Sequence, residues 1–118
     1  MGRIFLLVGC LSGVGVVALA AVGAHVMAGA PGEGLFRTAL DMQAWHTPVL
    51  LGLGLWLRAR GGVWLGGGAL LLLLGLVLFC GALDVHAFSG RSLGPVAPVG
   101  GSVLMLGWLV LAVAAVRD

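Results

Sequence analysis

Long apolar runs dominate the chain, and the few charged positions mark where each run ends. Ile4 to Gly32 contains no Asp, Glu or Arg and holds His25 near its far end. Gly61 to Leu83 is likewise free of charge, as is Ser92 to Val116, with Pro95 and Pro98 at its start. A helix needs about 20 apolar residues to cross about 30 Å of hydrocarbon, so these three runs predict membrane-spanning helices. Met42 to Leu57 is shorter, about 24 Å at the rise of an α-helix. Extended back to Phe36 it becomes a fourth span, with Arg37 and Asp41 in its first two turns, spaced i, i+4 and placed to pair. The pattern predicts an all-α integral membrane protein, a single membrane domain over residues 1–118. It is a four-helix transmembrane bundle with spans near 4–27, 36–57, 62–84 and 95–116.

Composition excludes the alternatives. The chain is 61% hydrophobic and 8% charged, with a mean hydropathy of +1.20. A soluble domain carries roughly 25% charged residues, so this chain cannot clothe a water-facing surface. A soluble enzyme, a nucleic-acid-binding domain and a disordered tail are all excluded. The six cations are all arginines, scattered singly or in one pair, which is no nucleic-acid footprint. They serve instead as orientation signals. Arg3, Arg58, Arg60 and Arg117 fall on one side of the spans, and Arg37 and Arg91 on the other with Glu33, Asp41 and Asp84. Both termini are therefore expected in the cytoplasm, with the loops 28–34 and 89–94 facing outward.

Leu7-Val8-Gly9-Cys10 has the outline of a lipoprotein cleavage box, but the apolar segment before Cys10 is too short for a signal core. Cys10 is expected to be a small buried residue, and its depth differs too much from that of Cys80 for a disulfide. Glycine is abundant, with 22 residues, and most of it lies within the spans, where it lets backbones approach closely. Gly9 and Gly13 form a GxxxG that Ala20 and Ala24 continue; the third span carries Gly66, Gly67, Gly68, Gly75 and Gly81. These are expected to pack helices within one chain rather than to form a homo-oligomer interface, although a homo-oligomer stays open.

Ionisable groups inside a bilayer cost several kcal/mol and face the protein interior, so they are the candidate site residues. His46 falls about 15 Å into a helix starting at Phe36, near the midplane, with Gln43 one turn away on the same face. His25 lies about 6 Å from the outer end of its span. The simplest expectation is that His25, Gln43 and His46 satisfy one another and the carbonyl freed by Pro48, assisted by Thr47. The sharper alternatives are a quinone head group, a proton relay or a haem, but His25 and His46 differ by about 9 Å in depth, which is poor for two axial ligands. Asp84 and His86 form an outer-surface candidate, and with His25 they are the closest approach to a metal set. Their i, i+2 spacing would need an irregular helix end. No HExxH or CxxC spacing occurs, so the metal stays open and no cofactor is expected. Nor is there a catalytic set: Ser12 is placed near the cytoplasmic side away from any histidine, and Ser102 would need His46 beside it. Among the tryptophans, Trp56, Trp64 and Trp108 are read as interface anchors or inter-subunit packing and Trp45 as bundle core.

Taken in order, these landmarks resemble a known family. Gly23-Ala24-His25 closes the first span; Phe36-Arg37-Thr38-Ala39, Gln43 and His46 follow; then come Leu78-Phe79-Cys80-Gly81-Ala82-Leu83, Pro98-Val99-Gly100-Gly101 and Gly107-Trp108. The series is similar to the domain of unknown function 423 family, the YwdK-like and transmembrane protein 256-like small membrane proteins, over nearly the whole chain. The resemblance implies a small multi-pass protein of a bacterial inner (plasma) membrane with no settled activity. The chain departs from the family pattern at Met42, where a Tyr is usual, and at Cys80, Ala82 and Asp84, where the pattern has Ser, Ser and Tyr.

The expected function is a non-catalytic accessory or assembly subunit packing against other membrane-protein subunits in the lipid bilayer. A ligand-binding or redox protein using His25, Gln43 and His46 (quinone, haem or metal) is the alternative, and an oligomeric small-solute permease the second.

Overall fold

The computed structural model describes all 118 residues and is entirely helical. Helix α1 spans Gly2–Val22 and runs on into a π-helical turn, Gly23–Met27; α2 spans Glu33–Ala59, α3 Val63–Ser89 and α4 Val96–Arg117. The α1 run with its π turn, α3 and α4 are long and apolar enough to cross a membrane. Helix α2 is as long as α3, at 27 residues, but carries Gln43, His46, Thr47 and Pro48 at its centre.

Helix ends fall where the backbone demands them. Gly90 stops α3 in the left-handed region (φ 74°), and its N–H bonds the His86 carbonyl, a conformation that costs a residue with a Cβ. Gly62 precedes α3 at φ 118°, and the space its missing side chain would need is taken by the Asp118 carboxylate. That carboxylate accepts the Leu65 N–H at 2.7 Å, satisfying one of the orphan donors in the first turn of α3 and placing a negative charge at the positive end of its dipole. Both α2 and α3 extend past the expected boundaries at the loop ends, α2 starting at Glu33 and α3 continuing to Ser89. Two corrections follow. Arg37 pairs with Glu33 (3.7 Å) rather than with Asp41, because the added turn offers an acid on its N-terminal side, the better orientation on a helix. And α3 is regular through Asp84 and His86, so the irregular end that would bring those two onto one face does not exist.

Two antiparallel helix pairs make the fold, and glycine sets both. Between α3 and α4, Gly68 faces Leu111, Leu72 faces Gly107, Gly75 faces Leu104 and Phe79 faces Gly100. Each glycine thus lies opposite a large residue. On each helix the two glycines are seven residues apart, so they share a stripe across two turns. A Cβ on Gly75 would sit 2.3 Å from the Leu104 nitrogen and one on Gly107 2.6 Å from the Leu72 nitrogen, so no side chain fits at either. Between α1 and α2, Gly9 lies against Leu51, Gly54 against Leu6 and Gly2 against Arg58. The expected intramolecular use of Gly9, Gly13, Gly68 and Gly75 is what the structure shows, whereas Gly67 and Gly81 have no atom near enough to meet a Cβ.

The four helices do not close into a square. Backbones approach within 8 Å only between sequence neighbours, α1 with α2, α2 with α3 and α3 with α4, and the molecule measures 46 × 28 × 17 Å. It is a flattened array with a thin core of Phe5, Leu50, Leu65, Ala69 and Leu72, and 24 of 118 residues are buried. The outward surface is correspondingly apolar: Ile4, Leu7, Leu11 and Val14 form an exposed stripe on α1 at helical spacing. Such a surface suits hydrocarbon, not water. Cys10 lies on it too, exposed rather than buried, and both cysteines are free.

Candidate functional site

The polar side chains inside the array fall into two separate groups, one on each side of α2. His46 is the middle residue of α2 and only 1% exposed. Its Nδ1 lies 2.7 Å from the Met42 carbonyl, one turn back, and its Nε2 accepts the Trp108 indole N–H at 3.2 Å. A carbonyl can only accept, so Nδ1 carries the proton and Nε2 offers its lone pair, the arrangement of a neutral imidazole. Trp45 lies over the same ring with centroids 4.2 Å apart, and stacks with Trp108 at 6.5 Å. The result is an aromatic box of Trp45, His46 and Trp108. It is the bridge from α2 to α4 across α3, spanned by long side chains where the backbones stay apart. Trp45 is 55% exposed and forms the lid of this box rather than a part of the bundle core.

Gln43 turns the other way, toward α1. Its Nε2 donates to the Ser12 carbonyl at 3.2 Å and to the Ser12 hydroxyl at 3.4 Å. The Thr47 hydroxyl donates to the Gln43 carbonyl at 2.8 Å, which leaves the Ser12 hydroxyl as donor to Thr47 Oγ1, also at 2.8 Å. Gln43, Ser12 and Thr47 thereby close a ring of hydrogen bonds between α1 and α2 in which every hydroxyl both gives and receives. Ser12 lies about 15 Å into α1, well inside the span rather than near the N-terminal end of the helix. Pro48 is accommodated differently from expectation, since Thr47 bonds Gln43 O and not the carbonyl of Ala44. Removing the Thr47 hydroxyl with Thr47→Val breaks the ring at two bonds while keeping the shape. We expect it to lower stability in mild detergent by about 1 kcal/mol, read as a lower melting temperature, with Ser12→Ala adding little to it.

The expectation that His25, Gln43 and His46 satisfy one another is therefore not met. His25 lies in the π turn at the end of α1, exposed, with no side-chain hydrogen bond; Gln43 serves α1; His46 serves α4. With both ring nitrogens engaged, His46 has no free lone pair for iron or zinc. Asp84 and His86 do not converge with each other or with His25, and no group of three His, Cys, Asp or Glu side chains is placed to hold a metal ion. Ser102 donates to the Pro98 carbonyl at 2.9 Å on the exposed face of α4 and has no contact with His46. Cys80, by contrast, is a buried link, its thiol donating to the Ala39 carbonyl of α2 at 3.3 Å.

Sequence reading missed Ser12 and Trp108 as interior partners, and it placed Thr47 in the cluster with a different acceptor. A signal existed for Trp108: an indole N–H within an apolar span needs an acceptor, and Trp108 near the middle of α4 matches His46 in depth. None existed for Ser12, whose partner depends on the register between α1 and α2.

These features define a class, a small helical membrane protein whose interior polar groups link its own helices. Comparison with known proteins gives the family. The model of the family described as protein of unknown function (DUF423) matches residues 19–101. The UPF0382 inner membrane protein YgdD of Escherichia coli (strain K12) is 40% identical over 98% of this chain and 91% of its own length. The UPF0382 membrane protein YwdK of Bacillus subtilis (strain 168) is 31% identical over 98% of each chain, and a UPF0382 membrane protein of Staphylococcus epidermidis is 30% identical over 98% of this chain and 97% of its own. The chain belongs to the DUF423/UPF0382 family of membrane proteins, and its place is the bacterial inner membrane. No solved structure matches it. The residues that carry the family resemblance are largely those that join helices. Gly23 lies against the Phe36 ring, Gly100 against Phe79 and Gly107 against Leu72, while Ala39 accepts Cys80 and Trp108 bonds His46.

Proposed function

We propose that this protein is a non-catalytic four-span subunit, with both termini in the cytoplasm, that packs against other proteins of the plasma membrane. The observation that carries this reading is the flat, 17 Å thick array with two open apolar grooves. One groove, about 390 Å³, runs between α1 and α3 past Val8, Leu11, Leu73 and Leu76; the other, about 480 Å³, lies between α2 and α4 beside Gly52, Trp56, Trp108 and Ala112. Grooves of this kind fit the ridges of neighbouring helices. The four-span orientation is supported by Arg3, Arg58, Arg60 and Arg117 at one end of the array, where Met1 and Asp118 both lie beside the start of α3. A non-catalytic role is supported by the inward, paired state of His46, Gln43, Ser12 and Thr47.

A second reading has one observation in its favour. Ser12 and Gln43 lie at the floor of the α1/α3 groove, and Gln43 Oε1 has no protein partner there, so a small amphipathic ligand such as a quinone head group would meet a lone acceptor in apolar surroundings. The polar anchor would then be Gln43 and not His46. A permease would require several copies, since an array one or two helices thick encloses no channel.

Native mass spectrometry of the particle released from its own membrane in mild detergent tests these readings together. The expected result is a heteromeric mass with reproducible partners. A bare monomer or homo-oligomer that persists after in-membrane cross-linking overturns the subunit reading. A small added mass lost in Gln43→Leu but kept in His46→Leu would put the ligand reading in its place.

A further inference from the structure

At the loop end of the first helix pair, the last turns of α1 and the first turns of α2 diverge around a cavity of about 380 Å³. One wall is made of small residues, Ala20, Gly23 and Ala24, whose short side chains leave the space open. The other wall is the start of α2, where Glu33, Arg37 and Asp41 follow one another at i, i+4 and i+8, on one face of the helix. This stripe of negative, positive and negative charge lines the cavity at the level where the apolar run of α1 gives out. Glu33 pairs with Arg37 at 3.7 Å, a long and solvent-exposed contact that leaves most of the guanidinium donors free, and Asp41 has no partner. Met27, Phe36 and Leu40 add apolar lining from both sides.

The geometry points to a binding site for a phospholipid with a zwitterionic, primary-amine head group, phosphatidylethanolamine in chemical class. Arg37 presents a planar fork of N–H donors suited to the lipid phosphate. Glu33 and Asp41, one turn to either side, accept from an ammonium that reaches about one phosphoethanol arm away. The small-residue wall takes the upper part of an acyl chain. Charge decides among head groups. Two carboxylates against one guanidinium leave the site with a net negative charge, which repels an anionic glycerol lipid. A trimethylammonium head satisfies the Coulomb term but has no N–H to give either carboxylate, so it binds less well than a primary amine. A soluble zwitterion would leave the apolar wall empty. The site differs from both grooves described above, and His25 is not part of its lining.

The test is native mass spectrometry of the full-length protein in detergent, offered equimolar phosphatidylethanolamine, phosphatidylcholine and phosphatidylglycerol with matched acyl chains. The expected result is retention of the ethanolamine lipid between about twofold and fivefold above either competitor, the range for exposed charge pairs. Glu33→Gln combined with Asp41→Asn, which removes both acceptors for the ammonium, is expected to bring it down to the choline level, while Arg37→Gln, which removes the donor to the phosphate common to all three, is expected to reduce their retention together. Ala24→Leu, which fills the cavity, is expected to reduce all three lipids together, whereas Arg91→Gln, in the other loop, leaves the preference intact. Equal retention of the three lipids by the unaltered protein overturns the proposal, as does a preference for the glycerol lipid. A preference that survives both the Glu33→Gln, Asp41→Asn pair and Ala24→Leu shows that the lipid binds elsewhere and overturns it equally.

Discussion

Replacing Gly75 with leucine is expected to separate α4 from α3 and to remove most of the protein's stability in mild detergent. The cause is backbone and not side chain: the Cβ alone would fall 2.3 Å from the Leu104 nitrogen and 2.9 Å from the Gly100 oxygen, and neither atom can rotate aside. Overpacking in a well-packed core costs about 1–3 kcal/mol where neighbouring side chains can adjust, so a clash with main chain belongs at or above the top of that range. Gly75→Ala makes the comparison sharper. Glycine to alanine within an exposed helix stabilises by roughly 0.5–1 kcal/mol, and Gly81→Ala, where no atom lies within reach of a Cβ, is expected to behave that way. Gly75→Ala and Gly107→Ala are expected to change the sign. Melting temperatures from thermal-shift size-exclusion profiles of the four variants check the register directly. If Gly75→Ala is as stable as Gly81→Ala, the two helices do not meet as described.

The second large effect belongs to His46. His46→Ala is expected to cost about 2–4 kcal/mol, since it opens a cavity at a fully buried position and strands the Trp108 indole N–H in apolar surroundings. Trp108→Phe removes the same hydrogen bond from the other side while keeping an aromatic ring. In a double-mutant cycle of His46→Leu with Trp108→Phe the two losses are expected to fall short of additivity by roughly 1 kcal/mol, because the bond can be lost only once. Strict additivity would show that the bond joining α2 to α4 contributes nothing. The same cycle separates a structural histidine from a ligand-binding one: a bound group coordinated by His46 would be lost in His46→Leu and kept in Trp108→Phe, whereas a linking histidine gives matching phenotypes in both.

Of the three positions that looked most chemical in one dimension, Gln43 and His46 turned out to be interhelix bonds and His25 an exposed side chain with no partner. The partners of Gln43 and His46 lie on different neighbours. Gln43 and His46 are only three residues apart on α2, and that angular offset is enough for one to face α1 and the other α4. Depth along a helix follows from counting residues, whereas the choice of neighbour depends on rotation about the axis. In an array apolar on nearly every side, sequence provides little amphipathic pattern to set that rotation. The same gap explains Trp45 and Cys10, both assigned to the interior on residue type and both exposed. In a bilayer an exposed tryptophan or cysteine carries no hydrophobic penalty, so residue type does not sort inside from outside.

What the sequence determined by itself is the environment and the elements. Charge-free runs long enough to cross hydrocarbon, broken by Arg58-Ala59-Arg60, by Ala30-Pro31-Gly32-Glu33 and by Arg91, dictate helices and their ends to within a few residues, because an unpaired backbone in lipid is too costly to tolerate anything else. The abundance of glycine within those runs announced close helix packing. Which glycines meet which partners was decided only by tertiary structure. Gly68, Gly75, Gly100 and Gly107 act because two helices adopt one antiparallel register that sets each of them opposite a large residue, while Gly67 and Gly81, identical in sequence terms, face outward. Register and rotation are properties of the pair, and neither helix alone contains them.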